Sequence, residues 1–134
     1  MKALDTNLVV RFLVKDNAEQ AQQVYRLFKE TENRQQRLFV PILVVLETIW
    51  VLQAVYDVGD PDILAALNDL LLMPVLLFEA PPVLHAFIVA AKGNNFDLAD
   101  LLIAQSARGL NCETVLTFDK KAGKYGGFEL ILNS

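Results

Sequence analysis

The sequence predicts an α/β protein: one domain, residues 1–134, with three α/β/α layers around a central parallel sheet of about five strands. Two observations predict this fold. Short apolar runs alternate along the chain with longer segments in which apolar residues recur at helical spacing. No internal repeat, low-complexity tract or linker interrupts the alternation. Strands that are separated by helices form parallel sheets covered on both faces.

The elements follow in order from these patterns. Apolar runs predict strands at residues 2–4, 38–40, 75–78, 114–118 and 128–132. Helical spacing and end signals predict helices at residues 6–14, 16–33, 41–56, 62–73, 81–92 and 96–110. Pro41 suits the first position of the third helix, which we expect to be buried, and Asp60 is the expected cap of the fourth.

Composition excludes several classes of protein. A hydrophobic content of 54% and a charged content of 21% are typical of a compact globular domain. The net charge of −4 argues against a broad basic surface for nucleic acid, although a local metal-loaded site can still act on a polyanion. The single cysteine, Cys112, cannot form an intramolecular disulfide, so we expect a reducing compartment and a small core residue.

The first residues contain no apolar stretch of signal-peptide length, and we expect a cytoplasmic protein without a membrane segment. The apolar stretch 38–56 carries Glu47 and Thr48 in its middle, which favours a strand and a helix over a membrane span.

Acidic residues follow two predicted strands. Asp5 ends the first strand and Asp119 ends the fourth. Ligands of open parallel sheets bind beyond the carboxyl ends of the strands, so these two carboxylates are candidates for one site. The alternative for each is a helix cap or a turn residue, because Asp favours both.

Two helices contribute further acids. Glu47 has Leu43 and Trp50 as helical neighbours, and burying an ionised carboxylate there is costly unless it is paired or binds a metal. A salt bridge to Arg11 is the structural alternative. If Asp97 caps the last helix, Asp100 falls at its third position, where an acid can be a capping residue and nothing more.

These acids together predict a carboxylate cluster for a hard divalent ion such as Mg²⁺. Zinc is disfavoured because the single histidine, His85, and the single cysteine, Cys112, lie in different elements. A nucleophilic triad has no support, since no serine or cysteine nucleophile accompanies the histidine.

Three segments with these acids resemble the PIN domain family, and within it the ribonuclease toxins of VapC type. They are "ALDTNLVVRFLVKDNAEQ", "VPILVVLETIWVL" and "FDLADLLIAQSARGLNCETVLTFDKKAG", and the resemblance runs from Lys2 to about Phe128. It implies an α/β/α nuclease that hydrolyses RNA with Mg²⁺ or Mn²⁺. It also implies an antitoxin partner of VapB type, whose C-terminal segment covers the acidic groove, and a homodimer.

The resemblance assigns roles residue by residue. It implies a catalytic and metal-binding quartet of Asp5, Glu47, Asp100 and Asp119, with Asp97 as an additional or substitute ligand. Side chains that would orient waters or carboxylates are Thr6, Asn7 and Thr117. Candidate contacts to RNA phosphates are Arg11, Lys15, Lys120, Lys121 and Lys124, although such residues are more often solvated surface.

Two other functions compete with this one. A phosphatase of the haloacid dehalogenase type also begins with an Asp after the first strand, but its D-x-D-x-T motif needs an acid where this chain has Asn7. A non-catalytic binding module would use the acids only as caps and salt bridges. Partner contacts are expected on the apolar helices of residues 41–73, because large exposed apolar patches mark interfaces.

Overall fold

The fold is that of a computed structural model, which describes residues 1–131. The chain divides into two compact units, Met1–Glu79 and the residues from Ala80 onward. The predicted fifth strand ended at Leu132, which lies outside the described residues.

The first unit alternates strands and helices. Its strands are β1 (Lys2–Ala3), β2 (Leu38–Val40) and β3 (Leu76–Phe78), and its helices are α1 (Thr6–Val14), α2 (Ala18–Asn33), α3 (Ile42–Ala54) and α4 (Asp60–Leu71). The strands pair in parallel in the order β1-β2-β3, with Leu38 opposite both Lys2 and Leu76. Parallel strands need long crossover connections, which the helices supply.

Local sequence explains where these helices begin. The Asn17 side chain caps α2 by accepting a hydrogen bond from the Gln20 N–H at 3.0 Å. Pro41 is the N-cap residue of α3, and because proline has no backbone N–H it leaves no unpaired donor at the start of the helix. The prediction that Asp60 caps α4 is wrong, because Gly59 is the capping residue. The Asp60 carboxylate instead accepts a hydrogen bond from Gln53 Nε2 at 3.0 Å.

Helix α3 is buried on one face only. Val45, Ile49 and Leu52 lie in the core, whereas Leu43 and Trp50 are 73% and 61% exposed. The expectation of a buried helix therefore holds for one face only, because only that face of this largely apolar helix packs against the rest of the unit. Among the described residues, no helix is long and apolar enough to cross a membrane.

The second unit contains two helices that pack against each other, α5 (Pro81–Ala91) and α6 (Leu98–Gly109). Its strands, β4 (Val115–Thr117) and β5 (Phe128–Leu130), pair in parallel. A Cβ atom at Gly127 would lie 2.8 Å from the Ala104 Cβ, so β5 can approach α6 only with a glycine there.

The α/β class and the parallel pairing are confirmed. One central sheet of about five strands is wrong for the described residues, which form one sheet of three strands and one of two. Apolar runs predict where strands occur, whereas their order in a sheet depends on long-range contacts that no single run encodes.

Core and surface positions of α3 should respond differently to truncation. Ile49 is fully buried, so Ile49→Ala should lower the free energy of unfolding by about 2–5 kcal/mol. The exposed control Leu43→Ala should change it by less than about 0.5 kcal/mol. Urea denaturation followed by circular dichroism measures both, and equal losses would show that α3 does not have the two faces described.

Candidate carboxylate site

Asp5 lies between β1 and α1 and is the N-cap residue of that helix. Its Oδ1 accepts a hydrogen bond from the Thr6 N–H at 2.8 Å, and its side chain is exposed. Within residues 1–131 its Oδ2 accepts no hydrogen bond. One oxygen therefore caps the helix while the other remains open to a ligand.

Thr6 follows with an unusual hydroxyl group. The residue is 5% exposed, and its Oγ1 has no hydrogen-bond partner within the described part of the chain. A buried hydroxyl without a hydrogen-bond partner costs free energy, and this oxygen belongs to the residue that directly follows Asp5. Asn7 is exposed on the same first turn of α1.

Glu47 is exposed on the outer face of α3, which we define as Leu43, Glu47 and Trp50. The expectation that its carboxylate is buried among apolar residues is wrong, because these helical neighbours face outward with it. Exposure removes the desolvation cost but leaves the carboxylate free to bind a cation.

The alternative salt bridge from Glu47 to Arg11 is not formed. The Arg11 guanidinium lies 2.9 Å from Asp16 Oδ1 and donates hydrogen bonds to Gln20 and Tyr56 at 2.7 and 2.9 Å. These contacts raise the pKa of Arg11, with the hydrogen bond to Tyr56 as the largest cause. The side chain proposed to hold RNA is thus already engaged in a structural network.

The second unit contains three of the candidate carboxylates, Asp97, Asp100 and Asp119. Asp97 caps α6, and its Oδ1 accepts a hydrogen bond from the Asp100 N–H at 3.0 Å, as the spacing predicted. Burial raises the pKa of the half-buried Asp100 carboxyl above its usual value, and the negative charges of Asp97 and Asp119 raise it further. The ionised form of Asp100 is therefore less favourable than that of a free aspartate, and a nearby cation would offset the difference.

A tight turn after β4 holds Asp119 in place. Its N–H donates to Thr117 Oγ1 at 3.0 Å, and its Oδ1 accepts from the Lys121 N–H at 2.8 Å. The carboxylate is exposed, as are Lys120 and Lys121 beside it. The Thr117 hydroxyl thus helps to hold the turn that presents the Asp119 carboxylate.

The donor atoms suit a hard divalent cation. Carboxylate oxygens and one unpartnered hydroxyl are the ligand types of Mg²⁺ and Mn²⁺, and softer sulfur or imidazole ligands are lacking at these positions. Within residues 1–131, no three acidic, histidine or cysteine side chains converge closely enough to enclose an ion. The residues fit an ion that retains several of its waters and is completed by substrate phosphate.

The remaining candidates lie on the surface. Lys15 ends α1 in a left-handed conformation, and its Nζ lies 5.9 Å from the centre of the Phe12 ring. His85 is exposed on α5. Cys112 is exposed as well, so its assignment to the core is wrong. The side chain is apolar, but it lies in the segment that follows the end of α6 and does not pack into the core.

Comparison with known proteins decides the family. A model of the PIN domain matches residues 2–127, nearly the whole chain. The chain belongs to the PIN domain family. This PIN domain is also 25% identical over 126 residues to a VapC ribonuclease of Aquifex aeolicus (strain VF5), a match that covers 94% of this chain and 93% of that protein. The phosphatase alternative is set aside.

The charge on Asp100 should reduce stability when no metal is bound. Because its pKa is raised in the folded chain, the unfolded chain gives up this proton at lower pH, and stability falls as the pH rises above the ordinary value of 3.8. We expect Asp100→Asn to be more stable than the unsubstituted chain in EDTA at pH 7, by roughly 0.2–0.5 kcal/mol. Near about pH 3, where both states are protonated, the difference should vanish.

Denaturant unfolding at the two pH values measures this effect. Asp97→Ala is the matched control, because it removes the cap of the same helix and should cost about 1 kcal/mol at neutral pH. A destabilised Asp100→Asn variant at pH 7 would contradict the assignment of an unfavourable charge.

Proposed function

We propose that this PIN domain is an endoribonuclease that depends on Mg²⁺ or Mn²⁺ and acts as the toxin of a toxin-antitoxin pair in the cytoplasm. The chain would act as a single domain. Its family and its similarity to a VapC ribonuclease support the nuclease activity. The ion, the residues that bind it and the cellular role are the further steps that we propose.

The half-buried position of Asp100 near two other acids is the observation that carries the proposal. Burial, and then the charges of Asp97 and Asp119, raise the pKa of Asp100, and a divalent cation would offset both effects. In the first unit, the open oxygen of Asp5 and the unpartnered hydroxyl of Thr6 support the same chemistry.

Each residue then has a defined task. Asp5, Glu47, Asp100 and Asp119 would hold the ion, with Asp97 as a further ligand or solely the cap of α6. When bound, the ion supplies an acidified water and neutralises charge on the phosphodiester. Thr117 holds the turn that presents Asp119, and Lys120 and Lys121 contribute positive charge for RNA phosphates.

Removal of the acids should abolish RNA cleavage. We expect four single substitutions each to lower the rate by at least about 100-fold: Asp5→Ala, Glu47→Ala, Asp100→Ala and Asp119→Ala. Each removes a carboxylate that helps to bind the divalent ion, and this ion stabilises the charge on the reacting phosphate. The assay incubates purified protein with a labelled RNA in Mg²⁺ or Mn²⁺ and follows product on a gel. EDTA should stop cleavage by the unsubstituted chain.

Asp62→Ala is the matched control, because this exposed acid lies in the first turn of α4 and has no assigned role. Its rate should be unchanged. Cleavage that persists in EDTA, or in the Asp5 and Asp100 variants, would rule out the metal mechanism. Absence of cleavage by the folded, partner-free chain under all metal conditions would favour the non-catalytic binding module.

The outer face of α3 is the proposed contact for a protein partner, either a VapB-like antitoxin or a second copy in a homodimer. Leu43 and Trp50 expose large apolar surfaces on both sides of Glu47. Exposed tryptophan is typical of interfaces, since it buries a large area on binding. A partner on this face would also cover the Glu47 carboxylate and so inhibit the enzyme.

Trp50→Asp should therefore weaken association by at least about tenfold, because it places a charge in an apolar contact. Light scattering measures the dimer, and a binding titration measures association with a candidate antitoxin, such as the product of any short reading frame next to that of this chain. Val89→Asp is the control, since Val89 is 72% exposed on α5 in the second unit. Unchanged association of the Trp50 variant would place the contact elsewhere.

A further inference from the structure

A surface cavity of about 500 Å³ in the first unit is lined by several basic residues, although the chain as a whole is acidic. Its lining includes Lys2 of β1 and Arg34 and Arg37 of the turn between α2 and β2. Glu30 is the one acidic residue among the lining residues that the structure describes. Leu27, Thr31 and Leu38 complete most of the walls. We call this site the basic cavity.

The three cations of the basic cavity have no protein partners. Within residues 1–131, the side chains of Lys2, Arg34 and Arg37 form no hydrogen bond, and the one ion pair joins Arg11 and Asp16. All three side chains are exposed. Their charges are therefore available to a ligand from solution.

These arginines are not needed to end α2. Basic residues often follow a helix because they interact with its last carbonyl groups. Here the carbonyls of Glu30, Thr31 and Glu32 already accept hydrogen bonds from backbone N–H groups of the turn, at 2.9–3.1 Å. A structural explanation for both guanidinium groups is thus lacking.

The turn that carries them has a defined shape. Gln35 adopts a left-handed conformation with φ of 56°, and the Gln36 N–H donates to the Thr31 carbonyl at 3.0 Å. Leu38 continues into β2 and donates to the Val75 carbonyl at 2.8 Å. The arginines are therefore presented from fixed backbone, which lowers the entropic cost of binding.

We propose that the basic cavity binds backbone phosphates of the RNA substrate, outside the nucleotides at which the chain is cut. Guanidinium groups bind phosphates with paired hydrogen bonds, and the N–H donors here face no competing acid except Glu30. This inference rests on the proposed nuclease function for the identity of the polyanion. It adds a second anchoring point that the catalytic residues do not supply.

The cavity lies at the start of the strand whose end carries Asp5. Lys2 and Asp5 are three residues apart along an extended segment, a separation of about 10 Å. β1 is an edge strand of the three-stranded sheet, and Lys2 and Ala3 are exposed along it. An RNA strand that reaches both positions must therefore be longer than the two nucleotides flanking a scissile bond.

Fluorescence anisotropy with a labelled single-stranded RNA of about 20 nucleotides, in EDTA to prevent cleavage, tests the proposal. We expect Arg34→Gln/Arg37→Gln to bind about tenfold more weakly at low salt. The slope of log affinity against log salt should fall by roughly 1.4, since each lost phosphate contact on a single strand contributes about 0.7. Arg34→Lys/Arg37→Lys should retain most of the slope.

Arg26→Gln/Lys29→Gln is the matched control, because it removes the same charge from exposed positions of α2 outside the cavity. It should change affinity by less than about twofold. Equal losses in both double variants would reduce the effect to net charge and overturn the proposal. An unchanged affinity in the Arg34/Arg37 variant would also overturn it, and so would equally tight, cavity-dependent binding of polyglutamate, which would indicate an acidic protein segment.

Cleavage separates this proposal from the nuclease function itself. In Mg²⁺ the Arg34/Arg37 variant should cut a dinucleotide, which is too short to reach the basic cavity, at the unsubstituted rate. It should cut a limiting concentration of the longer RNA about tenfold more slowly. Equal loss on both substrates would overturn the separate anchoring role. If no variant cleaves any RNA but the anisotropy difference holds, the basic cavity stands and the nuclease function fails.

Discussion

Parallel pairing of very short strands is the constraint on which the first unit depends. Each strand has only two or three residues, so the sheet gains little from its own hydrogen bonds and relies on the helices that connect its strands. The same connections make the chain turn from a strand end into a helix start. Asp5 stands at such a turn, where one residue must end the strand, begin α1 and still present a free oxygen.

The negative charge of Asp100 is electrostatically unfavourable in the folded second unit. Asp100 gains from its place near the start of α6, where the helix dipole favours a negative charge, but its burial and its acidic neighbours raise its pKa nonetheless. Local repulsion of this kind is common where a protein binds a cation, because the ligand then contributes the missing stabilisation. The enzyme that we propose would thus be more stable when loaded than when empty.

Sequence reasoning was most reliable where the cause is local. The cap at Asp97 and the third-position place of Asp100 follow from spacing alone, and the structure has both. It failed where the cause is long-range. Glu47 was predicted to be buried because its helical neighbours are apolar, yet burial is decided by which face of α3 the unit covers.

The basic cavity also depends on long-range contacts that could not be predicted from the sequence. Arg34 and Arg37 are visible in the sequence as "RQQR", but Lys2 is more than thirty residues away and joins them only because β1 pairs with β2. The number of strands in the main sheet was unpredictable for a similar reason. Strand order depends on which short apolar segments pair with each other, and segments of such similar composition do not encode their pairing partners.

The network around Arg11 has a consequence for motion. Arg11, Asp16 and Tyr56 tie the corner between α1 and α2 to the residues just after α3, a separation of forty residues or more in sequence. Local opening of that corner must break an ion pair and two further hydrogen bonds, so fraying of α1 from its C-terminal end is coupled to the segment that follows α3. The helix that Asp5 begins is in this way tied at its far end to a segment distant in sequence.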